Sequence, residues 1–288
     1  MKLNSLRVKF LAGFLSLFLG SFIVFFAISY YMSSRALYRN ADEISAEIGR
    51  STALEIEKNY QSKGLAIESL AHNQAIVNGD RTARIQALKD AKSRLDGVAM
   101  LAYSDLNGQA YSESGKDMDR ASRDYIKAVR ETKKPFMTGP SVSGTSGKLI
   151  TIMAYPVLEN GTLTGIVYGT IELDDISELA GNIRYMETGR VYIADQEGLV
   201  LAYAQQPDDV GQLDLSKETS NKTIDKSLVE GYKKAIQEDK QISTEYKTSS
   251  GVDSQAVMTP IHLGSRTWLA VSWHRCLRYG PMRRIWPK

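Results

Sequence analysis

Cysteine is almost absent from this chain. Among 288 residues only Cys276 occurs, which excludes an internal disulfide, a multi-cysteine zinc module and an iron–sulfur cluster. Histidine is nearly as scarce, and His72, His262 and His274 show no H-x-x-H or H-E-x-x-H spacing, so no metal site is expected. Neither charge dominates. Lys and Arg number 36 against 33 Asp and Glu, a formal charge of +3, and nothing in that balance points to nucleic acid. With 43% hydrophobic and 24% charged residues the composition is that of a globular chain with a packed core, which excludes a disordered or collagen-like one.

The charges present are unevenly spread. Between Lys9 and Arg35 stand 25 residues without one, FLAGFLSLFLGSFIVFFAISYYMSS. An apolar helix needs roughly 20 residues to cross the hydrocarbon core, and Tyr30 and Tyr31 suit the headgroup level. The run exceeds most signal-peptide cores and no clear cleavage site follows it, so residues 10–32 are expected to form an uncleaved transmembrane helix within the lipid bilayer. Lys2, Arg7 and Lys9 in the flank 1–9 place the N-terminus in the cytoplasm by the positive-inside rule, and residues 33–288 beyond the cell (inner) membrane. By segment the charge is +3 for 1–9, zero for 10–32, −5 for 33–273 and +5 for 274–288, so the near-neutral total is a cancellation. A basic outer end runs against the usual loop bias, and the tail 274–288 is expected to be a truncated or altered end, short of a second span.

No proline occurs from Ser33 to Gly79, while Leu37, Ile44, Ile48, Ile56, Tyr60, Ile67 and Leu70 recur at helical steps. A long amphipathic helix is predicted there, with a second over 82–95 after Asn78-Gly79-Asp80. The stripe suits either a coiled-coil seam with a second copy or packing against the chain's own domain; its phase shifts after Ile48. From residue 97 short strands take over. VAMLAYSDLNGQAYSES reads strand, turn, strand, residues 122–132 read as a helix capped by Ser122, and 148–173 read as a hairpin through Asn160-Gly161. The following stretch repeats the plan, with Asp105/Gly108 answered by Asp195/Gly198, Pro156 by Pro260, and a helical run at 225–239. Two antiparallel sheets with intervening helices, hung on one long helix, follow from these patterns.

At Arg123-Asp-Tyr125, at TGPSVSGTSGKLITIMAYPVLENGTLTGIVYGTIEL (138–173) and at TGRVYIADQEGLVLA (188–202), the chain resembles the double Cache (dCache) sensor region of bacterial methyl-accepting chemotaxis receptors. The resemblance implies an α+β fold: the transmembrane helix, stalk and connecting helices over 33–96, a membrane-distal PAS-like (Cache) module at 97–183 and a membrane-proximal one at 184–273. It further implies extracytoplasmic sensing by a homodimer, with the ligand in the distal module. In amino-acid-sensing members an Arg followed two residues later by an aromatic holds the ligand carboxylate, and Arg123 and Tyr125 match that spacing. Where those members place a Tyr and an Asp this chain has Ser141 and Ser143, and Thr170 stands in place of the Asp that grips the ligand amine. Losing that acid removes the charge-assisted bonds of an ammonium group, so a small anionic metabolite, carboxylate or amino-acid-like, is the expected ligand.

The residue chemistry agrees. Arg123 stands at the start of a predicted helix, where free N–H groups and the dipole favour an anion and a guanidinium can bind it bidentately. A surface pair with Asp119 or Asp124 is its competing role. Tyr103, on the strand before the turn, is expected to line the same pocket, its alternative being an ordinary half-buried strand tyrosine.

Other motifs lead nowhere chemical. SGTSGKL (143–149) lacks the first Gly and the final Ser/Thr of a phosphate loop and reads as a hairpin connection. Asp174-Asp175 and Asp208-Asp209 come without a nucleophile or base at a defined spacing and suit caps and turns. Asn160-Gly-Thr and Asn221-Lys-Thr fit the glycosylation sequon, which carries little weight if the chain is bacterial, as the resemblance implies; Cys276 is a lone thiol in a basic tail. No cofactor and no enzymatic activity are expected. The expected function is the ligand-sensing region of a chemoreceptor, signalling by a displacement of the stalk helix. The alternatives are the input of a diguanylate cyclase or histidine kinase, a truncated membrane-tethered binding protein, and a membrane-anchored hydrolase, for which no catalytic set is found.

Overall fold

The computed structural model describes residues 6–216 and 224–276, with side chains other than those of 6–8 and 34–39. The Leu37 side chain, the Asn221 sequon and the tail beyond Cys276 lie outside the described residues. The chain divides into two units, Met1–Ile44 with Cys276–Lys288, and Ser45–Arg275.

The described part of the first unit is helical. Helix α1 (Leu6–Ala71) begins there, and its stretch Lys9–Ser33 is long and apolar enough to cross a membrane, with its side chains exposed, Phe10 by 78%. Within it the Ser16 and Ser21 hydroxyls donate to the helix's own carbonyls at Gly13 (2.9 Å) and Phe18 (2.8 Å), so neither presents an unpaired donor to apolar surroundings.

In the second unit α1 ends at Ala71, short of the predicted Gly79, because Asn73 starts a new turn by accepting a bond from the Ala75 N–H (2.8 Å). Helices α2 (Gln74–Val77) and α3 (Arg81–Lys92) follow, the latter capped by Asp80. Next come β1 (Val98–Ser104), β2 (Gln109–Ser112), β3 (Asp117–Asp119), α4 (Asp124–Thr132), β4 (Phe136–Met137), β5 (Ser141–Val142), β6 (Leu149–Glu159) and β7 (Thr162–Glu172). These strands form an antiparallel sheet in the order β3-β2-β1-β7-β6-β4, with β5 also on β6. After α5 (Asp174–Asn182) the strands β8 (Arg184–Tyr185), β9 (Gly189–Ala194) and β10 (Val200–Ala202), helix α6 (Lys226–Glu238), and β11 (Ile242–Lys247), β12 (Asp253–Leu263) and β13 (Arg266–Arg275) build the second sheet. Its order is β10-β9-β13-β12-β11, with β8 on β9.

The repeat is visible at atomic detail. Asp105 accepts bonds from the Asn107 and Gln109 N–H groups (2.9 and 2.8 Å), and Asp195 accepts from Glu197 and Leu199 (3.1 and 2.8 Å). Each turn closes on a glycine in the left-handed region, Gly108 at φ +87° and Gly198 at φ +105°, where a Cβ is costly. Pro156 and Pro260 also hold equivalent places. Each stands two residues beyond the last pair that its strand makes with a neighbour, Ala154 with β4 and Met258 with β11, where no partner needs the missing N–H.

One core serves both sheets. From Ile56 the helical stripe is buried, and Ile56, Tyr60, Ile67 and Leu70 pack into a cluster with Leu101, Val167 and Ile171 of the first sheet and with Val191, Ile193 and Ile261 of the second. Trp268, fully buried, meets the Tyr60 ring edge-on at 5.3 Å. At Gly169 the helix comes so near that a Cβ would lie 2.6 Å from Ile67 Cδ1. The stripe thus packs within its own chain there, while Ile44 is 44% exposed. The opposite face of each sheet is covered by one helix, α4 or α6.

Candidate functional site

The face of the first sheet beneath α4 is assembled by strand alternation. Met100 and Ala102 of β1, Ile152 and Ala154 of β6, and Ile166, Tyr168 and Thr170 of β7 lie on it, because Thr170 pairs with Met100 and Ile152, and Tyr168 with Ala102 and Ala154. The two alanines leave room for the Tyr168 ring between them. Helix α4 supplies Tyr125, Ile126 and Val129, and the Tyr125 ring lies 5.0 Å from that of Tyr168. Both tyrosines are buried, at 3% and 0% exposure.

Two guanidinium groups stand beside this pair. Burial pushes both phenols upward, and the positive charges of Arg120 and Arg123 oppose that shift at Tyr125 and Tyr168 alike, so both lie within electrostatic reach of the two hydroxyls. The Tyr168 hydroxyl lies near Arg120 and Tyr125 yet meets hydrogen-bond geometry with neither. A buried polar hydrogen without a partner costs about 1–3 kcal/mol. Arg120 reaches the Met118 sulfur and the Asp119 carbonyl, and Arg123 makes no ion pair with Asp119 or Asp124 among the described residues. Helix α4 starts at Asp124 with Arg123 as its N-cap and no side-chain cap, a correction to the predicted cap Ser122.

The sequence-predicted residues divide into three groups. Tyr125 and Thr170 share the α4 face, Thr170 being 8% exposed, while Arg123 is exposed at the N-cap of α4, within electrostatic reach of the Tyr125 and Tyr168 phenols. Ser141, exposed on β5, pairs with Ile150 and falls in the same face's register at the sheet edge, while the Ser143 hydroxyl accepts from the Thr145 and Ser146 N–H groups (3.3 and 3.2 Å) and shapes the β5–β6 hairpin tip. Tyr103 is not brought to this face. Its ring lies on the α1 side over Gly165, with the Arg84 guanidinium 4.3 Å above it and its hydroxyl donating to the Thr164 carbonyl (3.3 Å). The reason is a register shift in β1 between Val98 and Met100, which reverses the faces of the residues after it. Arg120 and Tyr168 are additional members. Tyr168 could have been found by counting two residues back from Thr170 along an alternating strand; Arg120 precedes α4 in a turn, where no periodicity marks it.

Cavities of about 110 and 620 Å³ lie away from this face, the first beneath α6 and the second between α1 and α3.

Two sheets of one plan, each with a helix on one face and both sharing a long helix on the other, define a tandem PAS-like fold. The Cache domain family model (dCache_1) matches residues 33–272, and the chain belongs to that family. Among curated relatives, the methyl-accepting chemotaxis protein PscA of Pseudomonas syringae pv. tomato is 22% identical over 187 residues, covering 64% of this chain and 30% of that protein. McpA of Pseudomonas putida, also a methyl-accepting chemotaxis protein, is 22% identical over 187 residues, 63% of this chain and 29% of its own. The chain therefore spans less than a third of the length of these relatives. Similar solved structures include the ligand-binding domain of the Pseudomonas fluorescens chemoreceptor CtaA in complex with L-isoleucine, with TM-score 0.65, 19% identity, and coverage of 84% of this chain and 94% of that one. The ligand-binding domain of the Pseudomonas aeruginosa PAO1 chemoreceptor PctC in complex with GABA has TM-score 0.65 and 19% identity, covering 81% of this chain and all of that one.

Proposed function

We propose that this chain is the extracytoplasmic sensing region of a membrane-anchored chemoreceptor, and that the α4 face of its first module binds a small carboxylate. The observation that carries this reading is the buried Tyr168 hydroxyl, without a hydrogen-bond partner and beside two arginines that form no ion pair among the described residues. A carboxylate entering there would accept from Tyr168 and from Arg120 or Arg123, and each such charge-assisted bond is worth about 1.5–3 kcal/mol. The uncapped start of α4 adds its positive dipole end. Thr170 offers a hydroxyl where an ammonium would need an acid, so an α-amino group gains little. CtaA and PctC are named with amino acids or GABA bound; in the proposed reading this chain holds a carboxylate and offers an amine no acid at Thr170.

Transmission would follow from the neighbouring residue on the same strand. Tyr168 faces the ligand, while Gly169 backs onto Ile67 of α1, and Lys63 of α1 is paired with Asp175 of α5 at 2.9 Å. Ligand that draws α4 onto the sheet would shift β7 against α1, and a helix displacement of about 1–2 Å is an ordinary signalling amplitude. Only a ligand that binds the two helix packings unequally can shift them. In this reading residues 10–32 span the membrane, the N-terminus is cytoplasmic and the receptor is a homodimer.

The test is a thermal-shift screen of the full chain in detergent against paired compounds, each carboxylic acid beside its α-amino counterpart. Stabilisation by a carboxylate with a weaker response to its amino partner is expected. Equal or stronger stabilisation by the amino acid would exclude the ligand class.

A further inference from the structure

Helix α1 is tied to the second module at two histidines that demand opposite protonation. The Ser45 hydroxyl of α1 donates to the Tyr185 hydroxyl (3.0 Å), and its one proton is then used, so its oxygen is left to accept from Nδ1–H of His274, 2.9 Å away. The Ser45 carbonyl accepts from the Ser272 hydroxyl (2.7 Å). His274 is 4% exposed, and a second proton, on Nε2, would bury a charge; burial accordingly lowers its pKa from 6.5. Among the described residues it has no ion pair. Helix α1 brings Ser45 to it, β8 brings Tyr185, whose phenol burial pushes up to about 12, and β12 sets Gln255 opposite. Arg184 pairs with Arg190 and Arg190 with Trp273 on the sheet's other face, Arg275 is exposed, Glu47 is bound to Arg50, and Asp253 of β12 has a partner of its own.

Further along α1 the demand reverses. Glu57 accepts from the His262 backbone N–H (2.6 Å) and lies 3.2 Å from its Nδ1, while Asp239, at the end of α6, lies 3.0 Å from its Nε2. Both ring nitrogens can donate only in the protonated ring, so this bridge needs the proton. Asp239 and then Glu57 raise the pKa above 6.5 although burial opposes them. The neighbouring cations are paired elsewhere, Lys240 with Glu238, Arg50 with Glu47 and Arg266 with Glu197.

We propose that the seat of α1 on the second module is a proton sensor, in which both ties hold only while His274 is neutral and His262 is protonated. The contribution of His274, which resists its proton in the folded chain, is whole above 6.5 and is lost as pH falls below it. That of His262 is whole below 6.5 and is lost as pH rises through its folded value. Acid therefore loosens α1 at Ser45 and alkali loosens it at Glu57, where the exposed ion pair is the weaker tie. The inference goes beyond the ligand reading and stands whether or not the α4 face takes a carboxylate.

The full chain in detergent, labelled at its histidines, is titrated by nuclear magnetic resonance, with His72→Gln and His262→Gln assigning the signals. His274 is expected to titrate below 6.5 and His262 above it. Hydrogen exchange around Ser45 is then compared with that of His274→Asn, whose amide can still donate to Ser45, at one pH at a time so that intrinsic exchange cancels. Equal rates at about pH 8 and at least about threefold faster exchange in wild type at about pH 5 are expected. Circular dichroism checks the fold; if His274→Asn loses it, Ser45→Ala takes its place and is expected to exchange faster than wild type at about pH 8 and like it at about pH 5. The proposal is overturned if His274 titrates at or above 6.5, if folded His274→Asn exchanges as wild type does in acid, or if Ser45→Ala matches wild type at the higher pH.

Discussion

The two modules share a scaffold and differ in the charge they hold against it. Under α4 the rings of Tyr125 and Tyr168 stand 5.0 Å apart at 50°, and under α6 those of Tyr192 and Tyr203 stand 5.3 Å apart at 47°. Two positive charges, Arg120 and Arg123, act on the first pair, whereas Tyr203 of the second feels one charge of each sign, Asp209 and Arg190. An aromatic floor over a sheet is neutral ground, and one or two charged residues at its rim decide what it attracts. In the proposed reading, the fold sets where a ligand sits and those rim residues set its class. What the modules have in common lies on the other face, where α1 runs through a single core.

The largest way to break that comparison is to remove the shared element. Trp268→Ala deletes a fully buried ring between α1 and the second sheet and is expected to destabilise the protein by about 3–5 kcal/mol. Because the core is continuous, chemical unfolding followed by tryptophan fluorescence and by circular dichroism should lose both modules in one transition. Two separated transitions would mean that the sheets are independent after all.

A smaller effect is expected at the contact behind the α4 face. Gly169→Ala places a methyl group against Ile67, with an overpacking cost of about 1–3 kcal/mol in thermal unfolding. Wild-type stability in this variant would show that α1 has slack at the proposed point of transmission.

Tyr168→Phe sharpens the contrast between the faces in the opposite direction. Removing a buried hydroxyl without a partner should leave the unliganded protein as stable or more stable by about 1 kcal/mol. A loss of stability would show that the hydroxyl is already satisfied.

The smallest effect separates the twin turns. Asp195 is 3% exposed, and burial lifts its carboxyl from 3.8 to about 6, against the opposing Leu199 N–H. In the pH window between those values the folded chain holds a proton that the unfolded chain has released, so this group's contribution to stability falls as pH rises through it and levels off above. Asp195→Asn should remove that part of the slope in melting temperature between pH 4 and about 6. An unchanged slope would assign it to other groups.

The sequence made some of this legible and hid the rest for identifiable reasons. The apolar run before Arg35, the Asp-x-x-Gly turns and helix α6 depend on neighbouring residues, so composition and spacing reveal them. Helix α6 was bounded to within one residue at each end, 225–239 against Lys226–Glu238. The stripe on α1 left two packings open, and only the positions of both sheets show that Ile56, Tyr60 and Ile67 face inward. Arg123, Tyr125 and Thr170 enter the proposed site through family likeness. Tyr103 was not, since a single bulge in β1 reverses which side a tyrosine faces, and no pattern in VAMLAYS announces it. Arg120 and Tyr168 come to the site through a turn and through strand pairing, and that proximity exists only in three dimensions.

The central claim is that the α4 face is a carboxylate site built by two arginines and a tyrosine hydroxyl. Its most direct test is calorimetry of the full chain with the carboxylate that most stabilises it, comparing wild type with Arg120→Ala/Arg123→Ala. The account predicts saturable binding in wild type and at least a tenfold loss in the variant, with circular dichroism and melting temperature preserved. An unchanged affinity in a folded double variant would contradict it.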